Sequence, residues 1–213
     1  MIIRLLLTLI TFTIFLFSCK NDNNISIETG DLLFRGKNQS SLSNAIDAVT
    51  QTHAKNHFSH VGLVEIIDGE IFVIHADYSS GVSRDSLTNF ISNKNGENLY
   101  VEIYRLKENK RDLINAAINR ASKLIGEPYN YSYIIEDSGY YCSELIWYAF
   151  APDSVFTLEP MTFKDPTTGN YHEGWKNHYK KLGIEIPEGL PGCNPNGMAT
   201  SEKIKFIGTI KPN

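Results

Sequence analysis

Residues 61–67 and 71–76 form two apolar, β-branched runs separated by Asp68-Gly69. This is the strongest short-range signal for a two-residue β-hairpin, and it places an antiparallel pair at the centre of any fold the chain adopts. With a two-residue turn Ile67 faces Glu70, and the numbers of facing residues sum to 137. Residues 60, 62, 64 and 66 then share one face with 71, 73, 75 and 77. Val64, Ile66, Ile71 and Val73 make that face apolar. His60 and His75 become diagonal neighbours at its open end, with Gly62 between them and Asp77 directly opposite His60. A three-residue loop would shift the register by one and send His75 to the other face.

The second constraint is Tyr140-Tyr141-Cys142-Ser143-Glu144-Leu145. A turn signal, Asp137-Ser138-Gly139, precedes it, and an apolar helix-like run follows to Phe150. A thiol at a helix N-terminus faces unpaired N–H groups and the positive end of the helix dipole. Both favour the thiolate nucleophile, so a depressed Cys142 pKa is expected. A buried core cysteine is the plain alternative. A cysteine nucleophile needs a base in contact with the thiol and a third group to hold the imidazole tautomer. A helix packed on the histidine face would bring Cys142 to the open end where His60 and His75 lie, with Asp77 a second candidate orienting group. A rival set is His53, His57 and His60, whose first two members share a helix face at i, i+4 as zinc ligands can. No Glu adjoins His53 as a zincin pattern requires. His172 and His178 receive no role.

Elsewhere the chain alternates helical and strand patterns. A strand is expected within residues 27–34 and a helix from Ser41 to about Lys55. A short helix is expected over 87–91 and a strand over 99–106. A helix is expected over 112–125, with Ala116, Ala117 and Ala121 inside and Gly126 as its cap. Residues 142–150 make the next helix, Trp175–Leu182 another, and 204–210 a closing strand. Residues 151–197, rich in Pro, Gly, Asn and aromatics, read as a variable lid or pocket wall. The mixture favours an α+β fold with a small antiparallel sheet packed on the Cys-bearing helix.

The N-terminus predicts export. Residues 1–18 are Met-Ile-Ile-Arg and then an apolar run to Ser18, the pattern of a secretory signal peptide. The run is short for a membrane span. Leu16-Phe17-Ser18-Cys19 resembles the lipobox of bacterial lipoproteins, which puts cleavage before Cys19 and a lipid on its sulfur; residues 19–27 are then lipidated Cys and polar tether, and 28–213 the domain. Ordinary secretion is the alternative. Cleavage removes one charge, Arg4, so the chain's 20 Lys+Arg and 24 Asp+Glu become 19 and 24. An acidic domain without a basic block argues against a nucleic-acid partner. Of three cysteines, Cys142 and Cys193 remain, too few for a disulfide scaffold. A bridge between them would consume the nucleophile.

The order of motifs is itself specific. Gly30-Asp31-Leu32-Leu33-Phe34 is followed by Phe58-Ser59-His60-Val61-Gly62, then Val73-Ile74-His75-Ala76, Gly81-Val82, 101–106, Gly126-Glu127-Pro128-Tyr129-Asn130 and Tyr141-Cys142-Ser143-Glu144-Leu145. This resembles the YiiX-like family of circularly permuted NlpC-type papain-like cysteine hydrolases, with lecithin:retinol acyltransferase as a distant relative of the same His-first order. The resemblance covers about residues 28–150. It implies Cys142 as nucleophile, His60 as base and His75 as third polar residue. Many family members carry Glu at that third position, while the acyltransferase relatives carry His. The relatives' chemistry implies peptide-bond cleavage in cell-wall stem peptides.

The leading expectation is therefore a lipid-anchored cysteine hydrolase of the cell envelope, acting on a short peptide or murein fragment, with no metal or organic cofactor. Tyr141, Ser143, Glu144, Tyr129 and Asp77 are the expected substrate-binding residues. Tyr129, Tyr131, Tyr140 and Tyr141 predict a short, polar pocket. A lipid ester or thioester acyltransferase on the same residues, and a non-catalytic binding module, are the alternatives.

Overall fold

The structure, a computed structural model, describes residues 25–36, 41–50, 57–93 and 95–210. The expected signal peptide, Cys19 and His53 lie outside them. Among the described residues the main sheet has six strands in the order β4-β3-β2-β1-β5-β8, every neighbouring pair antiparallel. The strands are β1 (Leu32–Gly36), β2 (Phe58–Ile67), β3 (Glu70–Asp77), β4 (Gly81–Ser86), β5 (Val101–Leu106) and β8 (Ile204–Ile210). A two-stranded ladder pairs β6 (Glu159–Pro160) with β7 (Pro191–Gly192). The helices are α1 (Ser41–Val49), α2 (Leu87–Ile91), α3 (Ile114–Ser122), α4 (Cys142–Phe150), α5 (Glu173–Leu182) and α6 (Pro195–Ala199).

The hairpin register is the one the sequence predicts. Pairs run from Ile67↔Glu70 to Leu63↔Ile74. Asp68 and Gly69 both hold positive φ, 51° and 84°, as a type I′ turn requires. That turn twists with the strands, which is why the two-residue loop prevails over a longer one.

The sheet buries both faces. Leu32, Phe34, Val61, Leu63, Ile74 and Ala76 pack with Cys142, Leu145, Ile146 and Ala149 of α4 in the larger core cluster. Leu33, Val64, Val73, Val101 and Ile103 pack with Phe90 of α2 on the other face. This corrects one expectation: α4 lies on the face opposite the histidines, and α2 covers the histidine face. The alternation along β2 decides it, because Val61 and Leu63 give α4 a deep apolar seat.

Helix α3 is shorter than its pattern. It ends at Ser122 and is preceded by a 3₁₀ turn over Glu108–Leu113. Ala117 and Ala121 are buried as expected, but Ala116 is exposed. Gly126 does not cap the helix; its N–H donates to Val82 O at the end of a further turn. Asp31, fully buried, anchors the start of β1 by accepting from Arg105 Nε at 2.7 Å and Nη2 at 2.8 Å. No helix among the described residues is long and apolar enough to cross a membrane.

Candidate active site

Cys142 is the first residue of α4, and Tyr141 is its N-cap. The helix starts here because Glu144, three residues past the cap, accepts a hydrogen bond from the Tyr141 N–H at 3.1 Å. Asn130 Nδ2 donates to the same carboxylate oxygen at 3.1 Å. Cys142 N–H is therefore among the donors that have no partner within the helix.

His60 and His75 meet as the register predicts. His60 Nε2 and His75 Nδ1 are 2.9 Å apart, with the rings nearly perpendicular. Both pack on Phe90, at centroid distances of 5.6 and 5.1 Å. Gly62 makes the packing feasible: a Cβ there would come within 2.9 Å of Phe90 Cε2 and 3.3 Å of His75 Cβ. Cys142 lies on the opposite face, where its sulfur is hydrogen-bonded by the backbone of Val61, the residue after His60.

Two site residues carried no recognised sequence signal. Asp85 Oδ2 lies 3.1 Å from His75 Nε2. Arg35, paired with His60 across β1 and β2, lays its guanidinium over the Phe90 ring at 5.2 Å and donates to Phe90 O at 3.0 Å. A charged residue closing an apolar strand was a usable sign for Arg35. Asp85 had none, because Gly81–Ser86 does not read as a strand on its own.

The electrostatics overturn the expected low thiol pKa. Burial pushes Cys142 up to about 11, against the opposing pull of backbone hydrogen bonds from Val61 and Ser143 and the charge of Arg35. Burial, helped by Arg35 and His75, holds His60 well below its ordinary value. At neutral pH the resting pair is thus a neutral thiol and a neutral imidazole. The helix-start effect exists but is smaller than the loss of water around the sulfur.

A cavity of about 450 Å³ opens beside the thiol, within the usual range of small-molecule sites. Tyr141, Cys142, Ser143 and Cys193 line one end. Val155, Phe156, Met161, Phe163, Trp175 and Met198 are prominent in the rest of the lining, and residues 151–197 build much of its wall. The cavity is chiefly apolar, which corrects the expectation of a short polar pocket. The tyrosines are turned to other uses: Tyr129 Oη bonds Tyr133 Oη at 3.0 Å, and Tyr141 Oη accepts from the Cys193 N–H at 3.1 Å. Ser143 Oγ donates to Cys193 O at 3.1 Å.

Of the expected substrate-binding residues, Tyr141 and Ser143 line this cavity; Glu144 is engaged in capping α4, Tyr129 faces the aromatic cluster of Tyr78 and Tyr131, and Asp77 accepts from Ser79 N–H and Oγ–H. His57 pairs with Asp47 at 2.9 Å while His60 is engaged with His75, so the structure does not join those two as metal ligands. Among the described residues no three His, Cys, Asp or Glu side chains are grouped to hold a metal. Cys142 and Cys193 are both free thiols.

The comparisons with known proteins bear on the family and the fold. A family model described as "Permuted papain-like amidase enzyme, YaeF/YiiX, C92 family" matches residues 26–208. The crystal structure of the metalloprotein yiiX from Escherichia coli O157:H7 is similar in fold, with a TM-score of 0.68 at 22% identity, over 87% of this chain and 98% of that one. No curated protein matches.

Proposed function

The chain belongs to the permuted papain-like amidase family, and on that premise we propose that it is a lipid-anchored cell-envelope amidase cleaving a short peptide or murein-derived fragment with Cys142 as nucleophile. One observation carries the assignment of roles: His60 Nε2 lies 2.9 Å from His75 Nδ1, which leaves His60 Nδ1 as the ring nitrogen to take the thiol proton.

With both partners neutral at rest, proton transfer accompanies attack. Cys142 Sγ bonds to the amide carbonyl carbon while its proton passes to His60 Nδ1. The carbonyl oxygen gains negative charge beside the Cys142 N–H at the start of α4. The C–N bond then breaks, and His60 returns the proton to the departing amine. Water hydrolyses the thioester, with His60 again as base. These steps call for no metal or organic cofactor. Membrane attachment through Cys19 supplies no group to this chemistry.

A second reading has specific support. The apolar lining of the cavity suits a lipid acyl chain, and the same thiol would then cleave an ester or thioester. Incubating the protein with short peptides and with phospholipids, and following released amine against released fatty acid, separates the two. Amine release that persists with chelators and vanishes in Cys142→Ala supports the amidase. Fatty-acid release without peptide cleavage overturns it in favour of the lipid reading, and no turnover of either class favours a binding module.

A further inference from the structure

We propose that Asp85 is a positioning residue that sets the tautomers of both histidines and so makes His60 Nδ1 a base. The inference rests on the role of His60 stated above. An ionised carboxylate can only accept hydrogen bonds. The Asp85 carboxyl is held below its ordinary pKa, first by its hydrogen bond from His75. Its contact at 3.1 Å therefore requires a proton on His75 Nε2. A neutral His75 then has a bare Nδ1, which accepts from His60 at 2.9 Å. That puts the His60 proton on Nε2 and leaves its Nδ1 with a lone pair. Reverse the first link and His60 carries its proton on Nδ1, where it cannot act as base.

The geometry is built into the sheet. Ser83 pairs with His75 across β3 and β4, and Asp85 pairs with Val73, so Asp85 stands diagonally from His75 on the histidine face. His75 is 2% exposed, so its tautomer is set by protein groups. The charged and titratable groups facing this relay are Arg35 from β1, Asp77 at the end of β3, Asp85 from β4 and Cys142 from α4. Of these, Asp85 is the one in hydrogen-bond contact with His75 Nε2 among the described residues. As the thiol proton moves to His60 the same chain stabilises the imidazolium that forms, with no net change of protons or electrons in the relay.

Two measurements on the full chain test this. Imidazole nitrogen NMR should show both histidines as the Nε2–H tautomer in the wild type and a mixture in Asp85→Asn, whose amide can also donate. Iodoacetamide alkylation of Cys142, followed by peptide mapping across pH, should lose its His60-dependent rate near neutrality by about tenfold or more in Asp85→Asn, while Asp85→Glu retains much of it. Unchanged tautomers, or an unchanged neutral rate in Asp85→Asn when His60→Ala is slow, overturns the proposal and leaves the amidase reading standing. A neutral rate indifferent to His60→Ala overturns both. Should Asp85→Asn fail to fold, the wild-type spectrum decides alone: a proton on His60 Nδ1 sinks the idea.

Discussion

Gly62 stands where a methyl group would collide with the Phe90 ring at 2.9 Å and crowd His75 Cβ at 3.3 Å. The two histidines can be neighbours on one sheet face because the residue between them has no side chain. Gly62→Ala should cost about 1–3 kcal/mol by overpacking, read as a lower midpoint in chemical denaturation. It should also slow Cys142 alkylation, because His75 must shift. Wild-type values for both would show that Phe90 and Val73 yield freely.

Cys142 should titrate high. Burial sets its pKa at about 11 and that of Cys193 at about 12. The main rise of the alkylation rate should fall near pH 11, with Cys142 labelled before Cys193. His60→Ala should remove the smaller rate seen near neutrality. A main rise near pH 8 would mean that the helix dipole outweighs desolvation.

Glu144 ties stability to pH. Burial raises its carboxyl to about 7 from an ordinary 4.5. The folded state therefore binds more protons between these values, and this group's contribution to stability is complete below about 4.5 and lost as pH rises through about 7. Glu144→Gln keeps an acceptor for the Tyr141 N–H and removes the titration. The variant should gain about 1–3 kcal/mol on the wild type above pH 7, measured by urea unfolding at pH 5 and pH 8. The same difference at both pH values would contradict this.

Asp31 is fully buried against the Arg105 guanidinium, which donates to both its carboxylate oxygens. Arg105→Ala should cost about 3–5 kcal/mol by leaving that charge without its partner. A loss under about 1 kcal/mol in urea unfolding would show that Arg111, which pairs with the neighbouring Glu28, rearranges to compensate.

If the proposed lipid anchor on Cys19 holds, Cys19→Ser should leave the protein unprocessed or soluble with an unchanged unfolding transition. Fractionation and intact-mass measurement check both parts. A wild-type mature protein without lipid would refute the lipobox.

Several elements were legible because their causes are local. The Asp68-Gly69 turn dictates the β2–β3 register, and α4 begins and ends where its pattern says. The strand β8 likewise spans the run read as a strand. Other readings needed long-range information. The pattern of α3 runs past Ser122, but the chain turns so that Gly126 can donate to Val82 O. The tyrosines around Cys142 looked like a polar pocket, yet the hydroxyls of Tyr129, Tyr131 and Tyr141 are paired with Tyr133 or with the backbone, and residues from 151–197 supply an apolar wall.

By itself the sequence determined that His60 and His75 share the open end of one hairpin face and that Cys142 opens a helix, because turn type and a two-residue strand period act over a few residues. Tertiary structure decided that α4 takes the opposite face, that Asp85 completes the histidine chain and that the thiol is hard to ionise. Those outcomes depend on what covers each group. Desolvation and long-range pairing are properties of the surroundings, and no local pattern encodes them.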